Sequence, residues 1–366
     1  MKKVVWLGDF DGQRANNFTA IRLLFALLVL FGHSFAVTNT GPDPLTPFLG
    51  GQVWIGALAV DGFFAISGFL VAGSYARQGF VGFAVSRALR IYPALAVCIL
   101  LSTFLLGPLV TTLPLVDYLT HPQTTQYLGN LTLWPRVYHY LPGVFQDQPY
   151  STGVNGSLWS LPVELRCYLL LLMAGFFGCL DRQYRASVLV LAVLIIGYMN
   201  YSSIPLVGEK ASWLRPSGYF ALGVFVWANR ARIPLHPAIA LLASMAPFLV
   251  MGTSYFHLVF APSLVYLIFF CAYGLPHFDL DRLGDLSYGV YIYAWPVQQL
   301  MVWDGQNGYA NAAISMPIVL ALAALSWHLV EKTALQLRRP LVSILKWPAG
   351  HVQSRIAKWK AAPAQY

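Results

Sequence analysis

The sequence predicts an all-α, polytopic integral membrane helix bundle of about ten transmembrane helices. Three observations predict it. Of 366 residues, 57% are hydrophobic and only 10% are charged, a balance outside the range of soluble globular domains. The apolar residues gather into runs long enough to cross a hydrocarbon core of roughly 30 Å as helices. Lysine and arginine sit between those runs, mostly on one side of the bilayer that a ten-span count implies. The net charge of +9 does not mark a nucleic-acid binder, because the basic residues form no patch with interleaved aromatics.

The segments follow in order. Met1 to Asn16 is polar and basic. Span 1 covers about Phe18–Val37 and is too long, and too polar at Arg22 and His33, for a cleaved signal peptide. A Pro/Gly-rich loop, Thr38 to Gln52, leads to span 2, about Val53–Tyr75. Arg77 to Pro93 reads as an amphipathic basic connector, and span 3 covers about Ala94–Val110. Thr111 to Gly156, rich in Pro, Gln, Tyr and Asn, is the longest polar stretch; its length suits a lid or acceptor platform. Spans 4 to 10 cover about Leu158–Leu180, Ala186–Tyr201, Pro216–Ala228, Pro237–Met251, Phe256–Tyr273, Leu286–Val302 and Ala312–Leu335. Residues 1–340 form one membrane domain and 341–366 a basic cytoplasmic tail. Ten spans put both termini on one side, leaving about 18 Lys and Arg inside against about three outside (Arg136, Lys210, Arg215). Cys98, Cys167, Cys179 and Cys271 lie in or beside apolar spans without metal spacing and read as small packing residues.

Polar groups inside such spans are costly and mark function. Arg22 and His33 are eleven residues apart in span 1, roughly 16 Å along one helix face. Asp61 lies roughly 12 Å into span 2 and Glu164 roughly 9 Å into span 4 from the same side. His33, Asp61 and Glu164 are therefore expected at similar depths, as a base with a carboxylate to orient it. The bland alternatives are a snorkelling Arg22, a structural pair for Asp61, and a local ion pair between Glu164 and Arg166. Ser67 either bonds back to its own helix or faces substrate, and Trp159 either joins an interfacial belt or lines the site. On the cytoplasmic side Arg87 and Arg90, three apart, share a helix face and could fork a phosphate; lipid headgroups are the other use of such charge. Asp285 and Glu331, near the ends of spans 9 and 10, could both be structural. No nucleophile elbow, Walker loop, dinucleotide fingerprint or zinc spacing occurs, so no metal is expected.

At these residues the chain resembles the membrane acyltransferase-3 family of bacterial O-acyltransferases acting on surface and secreted glycans. Arg22 and His33 match its R-x10-H. Asp61-Gly-Phe-Phe-Ala-Ile-Ser67-Gly-Phe matches D-x-F-F-x-x-S-G-F. Arg87, Arg90 and Pro93 match R-x-x-R-I-x-P, with Tyr92 between. Trp159-Ser160-Leu-Pro-Val-Glu164 matches W-S-L-x-x-E, and Ser287-Tyr288-Gly289-Val-Tyr291 matches S-Y-G-x-Y. The likeness runs from about Asn17 to Arg339. It departs at Ala294, where many members carry histidine, and at Thr333, where proline is common after Glu-Lys.

The resemblance implies an acyl-CoA donor, usually acetyl-CoA, reached from the cytoplasm, and a glycan or lipid-linked saccharide acceptor reached from the other face of the inner membrane. It implies that Arg22, Arg87, Arg90 and Tyr92 hold the donor, that Ser67, Trp159, Ser160 and Tyr288 line the substrate path, and that His33 acts with Glu164 or Asp61. No further hydrolase-like domain is expected, so the membrane domain carries the chemistry. Direct transfer and an acyl-histidine intermediate are both open at this level. A proton-coupled transporter would also keep His, Asp and Glu at mid-depth; the arginine pair and the lack of an inverted repeat with broken helices speak against it.

Overall fold

The structure is a computed structural model that describes residues 5–13, 15–150, 153–199 and 211–345. Lys2, Lys3, Tyr201, Lys210 and the tail beyond 345 lie outside the described residues. The chain is almost entirely helical: α1 (Phe18–Val37), α2 (Ile55–Leu101), α3 (Leu161–Phe176), α4 (Gln183–Met199), α5 (Ala211–Asn229), α6 (Pro237–Leu249), α7 (Phe256–Gly274), α8 (Ser287–Leu300) and α9 (Gly308–Ser326). Two-residue strands, Val5–Trp6 and Pro234–Leu235, pair antiparallel and tie the N-terminal segment to the end of α5.

Among the described residues, five helical stretches are long and apolar enough to cross a membrane: Phe18–Val37, Ile55–Val110, Gly156–Phe176, Phe256–Gly274 and Gly308–Leu345. Gln183–Ile195 and Pro237–Leu249 are shorter apolar helices. The 56 residues of Ile55–Val110 would extend about 84 Å if straight, far beyond a bilayer core. Gly79 breaks them, with φ 68° and ψ −176°, a conformation a side chain would strain. The first limb of α2 descends beside α1, with Gly56 near Gly32 and Gly62 against Phe25. The second limb ascends beside α8: Tyr288 Oη donates to the Ile91 carbonyl at 2.9 Å, and Cys98 lies 3.4 Å from the Ile292 carbonyl. Arg77 to Pro93 is therefore helix on both sides of the break and not a separate connector.

Chain entry and exit are set by local chemistry. Asn307 caps α9 through the Ala310 amide at 2.9 Å, and Pro162 occupies the first turn of α3, where its missing amide costs nothing. α5 packs along the first limb of α2 with backbones in close approach. A Cβ on Gly68 would collide with the Phe220 carbonyl, and one on Gly223 with the Ala65 carbonyl. Small residues of this kind are how helices associate where lipid removes the hydrophobic drive.

The stretch from Thr111 to Gly156 is packed, not loose. It contains Leu115–Thr120 and Pro122–Leu128 as short helices, and Tyr118 and Tyr127 are fully buried. Tyr118 Oη donates to the Thr103 carbonyl at 2.7 Å. Its end is pinned to α8 by Asn155 Nδ2 on the Ile292 carbonyl and by Trp295 Nε1 on the Gly153 carbonyl, both at 2.8 Å. The four cysteines are free thiols.

Candidate active site

Parallel α1 and α8 define two ends of a site. At one end Arg22 meets Asp285; at the other His33 meets Trp295.

The first end is a cavity of about 120 Å³ between α1, both limbs of α2, α3 and α8. Seven of the singled-out residues line it: Arg22, Ser67, Arg87, Arg90, Ser160, Glu164 and Tyr288. Tyr168 and Tyr291 join them, although neither was singled out as a site residue. Four residues on, Tyr168 shares a helix face with Glu164, and that spacing was the signal available. Val60, Phe63, Phe64 and Leu70 make part of the lining apolar; the rest carries hydroxyls, guanidinium groups and a carboxylate.

The arginines differ in how they are held. Arg90 donates to Asp285 at 2.5 Å and to Glu331 at 3.1 Å, with its guanidinium over the Tyr288 ring. Arg22 also reaches Asp285, at 3.0 Å. Ser287 Oγ donates to Asp285 at 2.6 Å and Ser326 Oγ to Glu331 at 3.0 Å, so both carboxylates are fully engaged. Burial pushes the Asp285 carboxyl up, but Arg22, Arg90 and Ser287 outweigh it and hold it at about 2. Arg90 is thus committed on both terminal nitrogens and does not offer a free fork alongside Arg87. Arg87 lies over the Tyr168 ring at 5.7 Å, and the buried Nε of Arg87 and of Arg22 each lack a hydrogen-bond partner.

The expected constellation of His33, Asp61 and Glu164 is not assembled. Asp61 is 1% exposed and held by Arg215, through Nε at 2.8 Å and through Nη2. Such a buried carboxylate needs its cation to remain tolerable, and the partner that Asp61 meets is Arg215, as in the structural-pair alternative. Glu164 accepts from Tyr168 Oη and lies 3.4 Å from Ser67 Oγ, on Oε1 in both cases. Among the described residues no ion pair joins it to Arg166, the bland alternative for this carboxylate; Arg166 donates to the Pro135 carbonyl at 3.2 Å and covers the Trp134 ring. Ser67 points across to α3, 3.1 Å from Tyr168 Oη, and not back along its own helix.

His33 is buried between Trp54 and Trp295, with ring centroids 5.6 and 4.8 Å away, and its Nδ1 has no hydrogen-bond partner. Depth along the helix was legible from sequence, but the aromatic enclosure was not, because Trp54 and Trp295 are remote in the chain. Of the other singled-out residues, Ser160 Oγ bonds Tyr291 Oη at 2.6 Å. Trp159 and Tyr92 are half-buried against the main core and do not line the cavity.

The family model for the acyltransferase domain matches residues 16–329, nearly the whole transmembrane region. The chain belongs to the acyltransferase-3 family. An O-acetyl transferase of Shigella phage Sf6 is 29% identical over 353 residues, covering 91% of this chain and 99% of its own. Nodulation protein 10 of Rhizobium leguminosarum bv. viciae is 32% identical over 362 residues, covering 91% and 96%. A putative membrane-bound transacylase, BcsY of Komagataeibacter xylinus, is 26% identical over 305 residues, covering 76% of each. No solved structure matches the chain. This acyltransferase-3 protein is a multi-pass membrane O-acyltransferase. The enzyme reading therefore stands, and the transporter alternative falls away.

Proposed function

We propose that this acyltransferase moves a short acyl group, acetyl in the first instance, from cytoplasmic acyl-CoA to a hydroxyl of a cell-surface or exported glycan. Its ten helical spans would lie in a bacterial inner membrane with both termini cytoplasmic. The observation that carries the proposal is the pairing of two ends on α1: unspent guanidinium N–H groups at Arg22 and Arg87, and a buried imidazole at His33 roughly 16 Å further along. A donor with phosphates at one end, a slender arm, and a thioester at the other spans such a site.

In this scheme Arg22 and Arg87 receive the phosphates, as guanidinium groups do. Arg90 anchors the helices around them. His33 removes the proton from the acceptor hydroxyl as its oxygen attacks the thioester carbonyl. The carbon–sulfur bond breaks, and the imidazolium returns that proton to the departing thiolate, so the enzyme ends unchanged. Histidine suits both halves because its ordinary pKa lies near working pH. Trp54 and Trp295 keep water from competing with the acceptor and present apolar faces of the kind sugar rings stack on.

The test is mass spectrometry of surface and exported glycans from cells with and without the protein. The expected result is the loss of one acetyl mass per modified site. An unchanged acylation pattern across all such glycans would overturn the proposal.

A further inference from the structure

Glu164 was expected to orient His33, yet it sits in the arginine cavity, with both recorded hydrogen bonds on a single oxygen. Tyr168 Oη donates to Oε1, and Ser67 Oγ flanks the same atom. Oε2 takes no hydrogen bond among the described residues, and Glu164 lines the cavity. A carboxylate held by one oxygen and presented by the other is an acceptor aimed at a ligand.

Tyr168 is in turn a rigid mount. It is 4% exposed, seated between Phe83 and Phe220 with Arg87 over its ring. It therefore links the unspent arginine to the Glu164 carboxylate through Oε1. The cations that line the same cavity from neighbouring helices are Arg22, Arg87 and Arg90, and the hydroxyls are Tyr288 and Tyr291. Arg22 and Arg90 are tied to Asp285, so none of the recorded ion pairs quenches Glu164.

We propose that Glu164 grips the arm of the thioester donor through an N–H or O–H group of that arm, and that Tyr168 is the positioning residue that aims it. This rests on the acyl-CoA donor proposed above. The cavity chemistry fits such an arm, which is a chain of alternating amide and aliphatic segments: its lining combines apolar side chains with Ser67, Glu164 and Tyr168, and cationic groups for the phosphates stand at the same cavity. Glu164 is then a donor-binding residue, and His33 works without a carboxylate partner.

The test measures steady-state transfer by the purified full-length protein from two donors. One is acetyl-CoA; the other is S-acetylpantetheine, which keeps the arm and lacks the nucleotide phosphates. Tyr168→Phe removes one oxygen and leaves the ring under Arg87. It is expected to raise the donor KM about tenfold for both donors, the scale of a lost hydrogen bond to a charged group, with kcat little changed. Ser67→Ala should move KM in the same direction by less. Arg87→Lys should raise KM for acetyl-CoA only. A fall in kcat at unchanged KM in Tyr168→Phe would overturn the inference and return Glu164 to the chemistry of transfer. So would a KM effect confined to acetyl-CoA, or no effect in either variant. Failure of the unmodified protein to use either thioester would instead overturn the proposed donor.

Discussion

The two ends of α1 solve opposite problems. Around Arg22 most of the charges are spent on one another: Asp285 binds Arg22 and Arg90, Glu331 binds Arg90, and serines complete their shells, leaving one N–H without a partner on Arg22 and one on Arg87. Around His33 nothing is spent; aromatic rings enclose the imidazole and its Nδ1 is unpaired. The first end is built to stay in place, since buried charges without partners would not be tolerated. The second end leaves its polar atom for the reacting group. Substitutions at the two ends should therefore fail in different ways.

The sharpest contrast comes from His33→Ala. Transfer should fall by about 10²–10⁴-fold or more, the scale of acid–base assistance, while acyl-CoA binding to the same purified protein stays near normal. Transfer close to the wild-type rate would remove His33 from the mechanism, and joint loss of binding and fold would make it a packing residue.

Asp285→Asn should do the reverse and cost stability. It leaves Arg22 and Arg90 without a shared anion, and breaking a buried pair costs about 3–5 kcal/mol. Thermal unfolding in detergent is the readout. The sign with pH follows from the lowered carboxyl: its contribution is present above its ordinary value of 3.8 and is lost as pH falls towards about 2. The native protein should thus keep this contribution down to about pH 4 and lose it below, whereas Asp285→Asn should lack that acid dependence.

Asp61→Asn tests whether a carboxylate at the depth of the chemistry takes part in it. Stability should fall by up to about 3 kcal/mol, because Arg215 loses its anion, and should recover in part when Arg215 is also changed to Met. Activity per folded molecule in the double variant should be near normal; a persistent loss would place Asp61 in the reaction.

The smallest effect separates two neighbouring arginines. Arg87→Lys keeps the charge and loses the fork, so donor affinity should drop about tenfold with the melting temperature unchanged. Arg90→Lys should lower the melting temperature instead, since it abandons contacts to Asp285 and Glu331. Equal behaviour of the two variants would erase the distinction drawn from their partners.

The helical membrane class, the face shared by Arg22 and His33, and most of the residues that line the cavity were legible in the chain before any packing was known. Those follow from composition and from the fixed rise and turn of a helix, which need no knowledge of neighbours. The chain also contained the break at Gly79, unread because a glycine within an apolar run has many uses. Helix packing chose the long-range partners: Asp61 went to Arg215, more than 150 residues away, Glu164 gained Ser67 beside the Tyr168 of its own helix, and Asp285 and Glu331 closed on Arg90. Depth along a span is a one-helix property; which carboxylate meets which cation depends on how the helices rotate about their axes when they pack. Where a close approach such as Gly68 against the Phe220 carbonyl fixes two helices against each other, their facing residues are fixed with it, and the packed helices place Glu164 in the arginine cavity.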